Sequence, residues 1–131
     1  MTGMPPSVLT VEADLDESRL TELTRAGEGS ITPAALSYPD FTYRHYWGTY
    51  RGWVVFNLSS GRINHVSNVF ASASESSELA STTDPVPHPF MGAAAFQVHN
   101  VVPYDGGVSV RLYIDWGDPL FTQVSYVVVN R

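Results

Sequence analysis

The sequence predicts an all-β fold, a single antiparallel β-sandwich or small β-barrel of roughly six to eight strands with one short N-terminal helix. Three observations carry this. Residues 93–130 contain two stretches of two-residue alternation joined by Asp105-Gly106-Gly107, then a third strand-like run after Asp118-Pro119. Val108, Val110, Leu112, Ile114 and Trp116 fall on one face and Ser109, Arg111, Tyr113 and Asp115 on the other, the pattern of a half-buried antiparallel strand. Residues 41–58 are largely aromatic or apolar on both faces, which suits a central strand pair or one lining a barrel interior.

Taken in order, residues 7–11 suit a short edge strand after Pro5-Pro6. Asp14 and Glu17 have capping-box spacing, and Leu15, Leu20 and Leu23 form a narrow apolar stripe, so a helix is expected over about 14–26 with Gly27 as its stop. Residues 27–40 are punctuated by Gly, Ser and Pro and form a connector. Strands follow at 41–48 and 49–58, then a turn at Ser59-Ser60-Gly61 and a weaker strand over 62–70. Residues 71–89 contain no aromatic and are rich in Ser, Thr and Pro, which predicts a flexible loop. A three-residue turn at Asp105-Gly106-Gly107, with Gly107 in the left-handed position, keeps each hairpin face uniform; it sets Gln97 opposite Asp115, His99 opposite Tyr113 and Trp116 beside Phe96. The last strand spans 121–130.

The length of 131 residues suits one domain over 1–131, enough to bury roughly two-thirds of the unfolded surface without metal or disulfide support. Cysteine is absent, which excludes thiolate catalysis, disulfides and cysteine-bound metal. All seven basic residues are arginine, which excludes lysine Schiff-base chemistry. A net charge of −6 with no basic run argues against a nucleic-acid partner, and a glycine-rich phosphate loop is absent. His45, His65, His88 and His99 lack metal-ligand spacing, so no metal and no cofactor is expected. No run of apolar residues is long enough to span a membrane, and residues 1–6 do not resemble a leader, so the expectation is a soluble, cytoplasmic chain or a secreted one whose leader has been removed.

Two constellations carry candidate chemistry. Gln97, His99, Arg111, Tyr113 and Asp115 put five hydrogen-bonding side chains on two adjacent strands. Enclosed, they form a catalytic set: Arg111 for a carboxylate or enolate oxygen, His99 or Asp115 for proton transfer, Tyr113 as donor. Unenclosed, they are the solvated face that any half-buried sheet requires. Tyr43, His45, Tyr46, Trp47 and Trp53, interleaved with Arg44 and Arg51, are too many to be buried together, and flat rings beside guanidinium groups bind sugar faces and organic cations well. The fragments 96–100 and 102–105 resemble short pieces of fungal fruit-body lectins and actinoporin sandwiches, a likeness from which no residue role is carried over.

The first functional expectation is therefore a non-catalytic binding domain for a small molecule or glycan, using Tyr43, His45, Tyr46, Trp47, Trp53 and Gln97. The alternative is a cofactor-free barrel enzyme, a cyclase or isomerase, with His99, Arg111, Tyr113 and Asp115 in its cavity. A third is a structural self-assembling protein, a homo-oligomer joined through strand 121–129, which is apolar and nearly free of charge.

Overall fold

A computed structural model describes residues 8–23, 38–77 and 86–130. They form nine strands: β1 (Leu9–Asp14), β2 (Thr21–Glu22), β3 (Phe41–Tyr50), β4 (Gly52–Ser59), β5 (Asn68–Ser76), β6 (Pro89–Phe90), β7 (Ala95–Tyr104), β8 (Gly107–Asp115) and β9 (Leu120–Val129). One sheet has the order β1-β4-β8-β7 and the other β2-β3-β9-β5-β6. All pairings are antiparallel except β1 with β4. The fold is all-β, as expected, and its two sheets, one curled into half a barrel, are consistent with the expected sandwich or small barrel. Among the described residues no helix is long and apolar enough to cross a membrane.

The core follows from the alternation. Val54, Phe56 and Leu58 of β4 and Val108, Val110, Leu112 and Ile114 of β8 point inward, against Phe41, Tyr43 and Trp47 of β3 and Val124, Tyr126 and Val128 of β9. Trp47 stacks on Phe56 with centroids 4.3 Å apart and planes 9° from parallel, and burying a ring of this size contributes about 1.5–3 kcal/mol. β5 lies against β7, joining the sheets along one edge. At one end, Ser60 N–H donates to the Gly106 carbonyl and Gly106 N–H to the Ile63 carbonyl, while Asp105 Oδ1 accepts from His65 N–H and lies 2.7 Å from its Nδ1. Arg62 reaches Glu17 and Glu22, both at 2.8 Å, and ties the N-terminal segment to this end.

Several expectations are corrected. The helix over 14–26 is replaced, within the described residues, by the end of β1, a single 3-10 turn at Glu17–Arg19 and β2. Asp14 is the last β1 residue opposite Ser59, and Asp16 is the cap, its Oδ1 accepting from Ser18 N–H at 3.0 Å. The leucine stripe offers little area, whereas pairing with β4 and β3 satisfies the backbone and still buries Leu15, so tertiary pairing overrides helix propensity. Residues 24–26 lie outside the described residues.

The strand expected over 62–70 begins at Asn68 and runs into the expected loop 71–89. Ala71 and Ala73 face the core where β7 approaches, so small side chains are what fit there. The remainder of that loop at 78–85 lies outside the described residues.

The hairpin turn has two residues, not three: Tyr104 pairs with Gly107, and Gly106 carries the positive φ of 104°. The mixing of faces this would cause is undone by a β-bulge at His99, after which Val98 pairs with Leu112 and Phe96 with Ile114. Gln97 consequently lies opposite Tyr113, and Ala95 opposite Asp115. Trp116 follows the end of β8 and is 46% exposed instead of buried beside Phe96. Strand 121–129 is no edge: β9 is hydrogen-bonded on both sides, by β3 and β5, so its backbone is not free to pair between subunits.

Candidate functional site

Because the even residues of β8 fill the core, its odd residues project from the outer face of the first sheet. Trp53 on β4 is directly opposite Tyr113, which is opposite Gln97 on β7. One rung along lie Val55, Arg111 and Asn100, and beyond them Asn57, Ser109 and Val102. The His99 bulge turns two successive residues, His99 and Asn100, to the exposed side.

Trp53 organises this face. Its ring reaches across β8 to His99, with centroids 4.6 Å apart, while the Tyr113 ring lies 5.0 Å away and the Arg111 guanidinium 5.9 Å from the ring centre. Around the ring, hydrogen-bonding groups hold one another in place. Arg111 donates to Asn100 Oδ1 at 2.6 Å, His99 Nε2 lies 3.3 Å from Gln97 Oε1, and Ser109 donates to Asn57 Oδ1 at 2.6 Å. Trp53 and Tyr113 are half-buried, whereas Gln97, His99, Arg111 and Asp115 are exposed. Beside Trp53 is an open hollow of about 690 Å³ bounded by Leu9, Arg51 and Trp116, with Arg51 donating to the Gly117 carbonyl.

The sequence-derived sets are therefore rearranged. Gln97, His99, Arg111 and Tyr113 do meet, and Trp53 joins them. Asp115 stands one rung away at the strand end, and among the described residues no side-chain hydrogen bond joins it to His99 or Arg111. Trp116 and Asn100 join this face without having been among the candidate site residues, and Arg51, expected beside the aromatic run, lies at its margin. Gly117-Asp118-Pro119 was the available signal for Trp116, because that turn ends the strand one residue before it.

The second set divides across its own sheet. Tyr43, His45 and Trp47 face inward, and Tyr46 faces outward with its ring 6.1 Å from that of Phe121. The inward rings form a polar thread. Tyr43 OH accepts the Asp16 amide hydrogen at 3.1 Å and lies 2.7 Å from His45 Nδ1. With the His45 proton assigned to Nε2, the hydroxyl donates to Nδ1. Burial, and secondarily Arg19, holds His45 below the ordinary histidine pKa, and burial raises that of Tyr43. Tyr126 OH and Trp47 Nε1 lack a hydrogen-bond partner of normal geometry among the described residues. Burial pushes the Tyr126 phenol far upward, an effect the adjacent Trp47 N–H only partly offsets.

Among the described residues no three His, Asp or Glu side chains converge on a point that would hold a metal ion. Comparison with protein-family models, with curated proteins and with solved structures finds no match to this chain.

Proposed function

We propose that the protein is a non-catalytic carbohydrate-binding β domain whose recognition surface is the outer face of the first sheet, centred on Trp53. The observation that carries this reading is the Trp53 ring lying among His99, Tyr113 and Arg111 on an open face. A pyranose presents a C–H-rich face to a flat ring and directs its hydroxyls outward. Trp53 and Tyr113 supply the apolar area at little entropic cost, and Gln97, Asn100 and Arg111 supply donors and acceptors at the ring's margin. Proton-transfer catalysis is disfavoured because His99 and Asp115 are both exposed and not linked, whereas a general acid–base pair needs positioning and exclusion of water. Such an open platform encloses little ligand area, so a Kd on the order of 0.1–1 mM is expected.

The test is titration with soluble oligosaccharides of several linkages, followed by tryptophan fluorescence. Trp53→Ala is expected to weaken binding about five- to tenfold, since one stacked ring is worth roughly 1–1.5 kcal/mol, while Asp115→Asn leaves it unchanged. Absence of any saturable, Trp53-dependent response, or turnover of a sugar that Asp115→Asn abolishes, refutes the reading.

A further inference from the structure

A second cleft, sharing no residue with the Trp53 platform, lies where the end of β5, β6 and the start of β7 meet. Its volume is about 360 Å³, the low end of the range occupied by small-molecule sites. The side chains around it are mainly apolar: Ala73, Phe90, Met91 and Phe96, with Glu75 among them. Phe90 is 43% exposed and Met91 98% exposed, so apolar surface is presented to solvent beside a carboxylate.

Glu75 is anomalous on two counts. Its register continues Val69, Ala71 and Ala73, the β5 positions that face the core, so a carboxylate stands where the three preceding residues of that face are apolar. Its carboxylate also has no hydrogen bond or ion pair among the described residues, although the residue is half-buried. Its backbone is fixed between Phe90 of β6 and Thr122 of β9. Gly92 lies against the carboxylate, and a Cβ there would collide with Glu75 Oε1 and meet Phe90 Cε2 at 3.4 Å. A side chain at 92 would therefore displace the Glu75 carboxylate from this position, which glycine leaves undisturbed.

An unpaired carboxylate, two phenyl rings and a polarisable thioether around one opening are complementary to a cation with an apolar body. The carboxylate neutralises the charge, a ring face attracts it electrostatically, and Met91 adapts to the ligand's shape. We propose that this cleft binds a small organic ammonium ion, with Glu75 as the counter-charge and Phe90 and Phe96 as the apolar walls.

The test is an NMR titration of the full chain with benzyltrimethylammonium chloride, and in parallel with uncharged benzyl alcohol. The cation is expected to shift the amides of Glu75, Phe90, Met91 and Gly92 saturably, with a Kd on the order of 1–10 mM, and to bind about fivefold more tightly than the alcohol. Glu75→Gln is expected to erase that fivefold preference, and Trp53→Ala to leave it intact. In the unmodified chain, raising the ionic strength is expected to weaken the cation and not the alcohol, a readout that needs no variant to fold. Equal binding of cation and alcohol, an unaltered preference in Glu75→Gln, insensitivity to salt, or shifts that map to the Trp53 face each overturn the proposal.

Discussion

His45 shows most directly what burial does to a single group in this fold. It is held between Tyr43 and Trp47, with centroid distances of 5.7 Å and 4.4 Å, and Asp16 and Arg19 are the charged groups that act on it. Loss of hydration, then Arg19, disfavours the imidazolium, and Asp16 opposes them, leaving the folded-state pKa below the ordinary 6.5. The unfolded chain therefore takes up this proton first as pH falls. Stability from neutral His45 is complete above about 6.5 and is lost as pH drops from there toward the folded value. The melting temperature is thus expected to be flat above neutral pH and to fall on acidification below the ordinary histidine value of 6.5, and His45→Gln is expected to flatten that slope. Asp16 and Asp105, lowered by their Ser18 and His65 hydrogen bonds, contribute stability that is lost only below their ordinary 3.8, so the two windows separate in a pH series of thermal melts. An unchanged acid slope in the variant contradicts the assignment. The sequence identified His45 and its neighbours as chemically active but not their side of the sheet. Hydrogen-bonding rings occur on both faces of residues 41–47, Tyr43 and His45 on one and Tyr46 on the other, so their chemistry alone does not say which of them is buried.

At the scale of the element, the sequence made the β7–β8 hairpin legible and left its register open. Turn length and bulge compensate each other only in part: a two-residue turn with a bulge at His99 leaves Phe96 and Val98 on the inner face, as a three-residue turn without one would, but between bulge and turn it brings Val101 inward and puts Val102 outside. Local pattern is degenerate between them, and the docking of the turn against residues 60–63 distinguishes them. The two glycines of the turn consequently have different roles. Gly106 has the positive φ, with open space where a Cβ would go. Gly107 lies so close to the Leu58 carbonyl and the Tyr104 ring that a Cβ would collide with both. Gly106→Ala is expected to cost about 1–2 kcal/mol through backbone strain. Gly107→Ala is expected to cost about 3 kcal/mol, because the main chain of β4 must move away from β8. Urea unfolding of both variants decides it, and a larger loss at Gly106 makes conformation, not close approach, the constraint. The expected helix over 14–26 failed for a related reason: its capping spacing was real, but the residues that pair with 9–14 and 21–22 are 19 or more positions away in sequence.

At the scale of the whole molecule, the sequence established that one face of the β7–β8 hairpin is polar, but not whether that face is enclosed. An inward polar row in a barrel and an outward one on a sandwich have the same two-residue period. The difference is made by long-range pairings such as β1 with β4 and the approach of β5 to β7. These put the polar row outside and divide the three tryptophans unequally. Trp47 is 7% exposed and stacked on Phe56, Trp53 is half-buried on the outer face, and Trp116 is 46% exposed beside it. Acrylamide is accordingly expected to quench two tryptophans readily and one poorly. A bound oligosaccharide that covers the platform should shield Trp53, shield Trp116 to the extent that it extends into the hollow, and leave Trp47 as it was. Trp53→Phe should remove most of the ligand-dependent protection while the poorly quenched fraction persists. If instead the ligand alters the emission of a chain retaining only Trp47, it has entered between the sheets. The inward thread of Tyr43, His45 and Tyr126 then becomes the binding site, and the outer face is only a solvated surface.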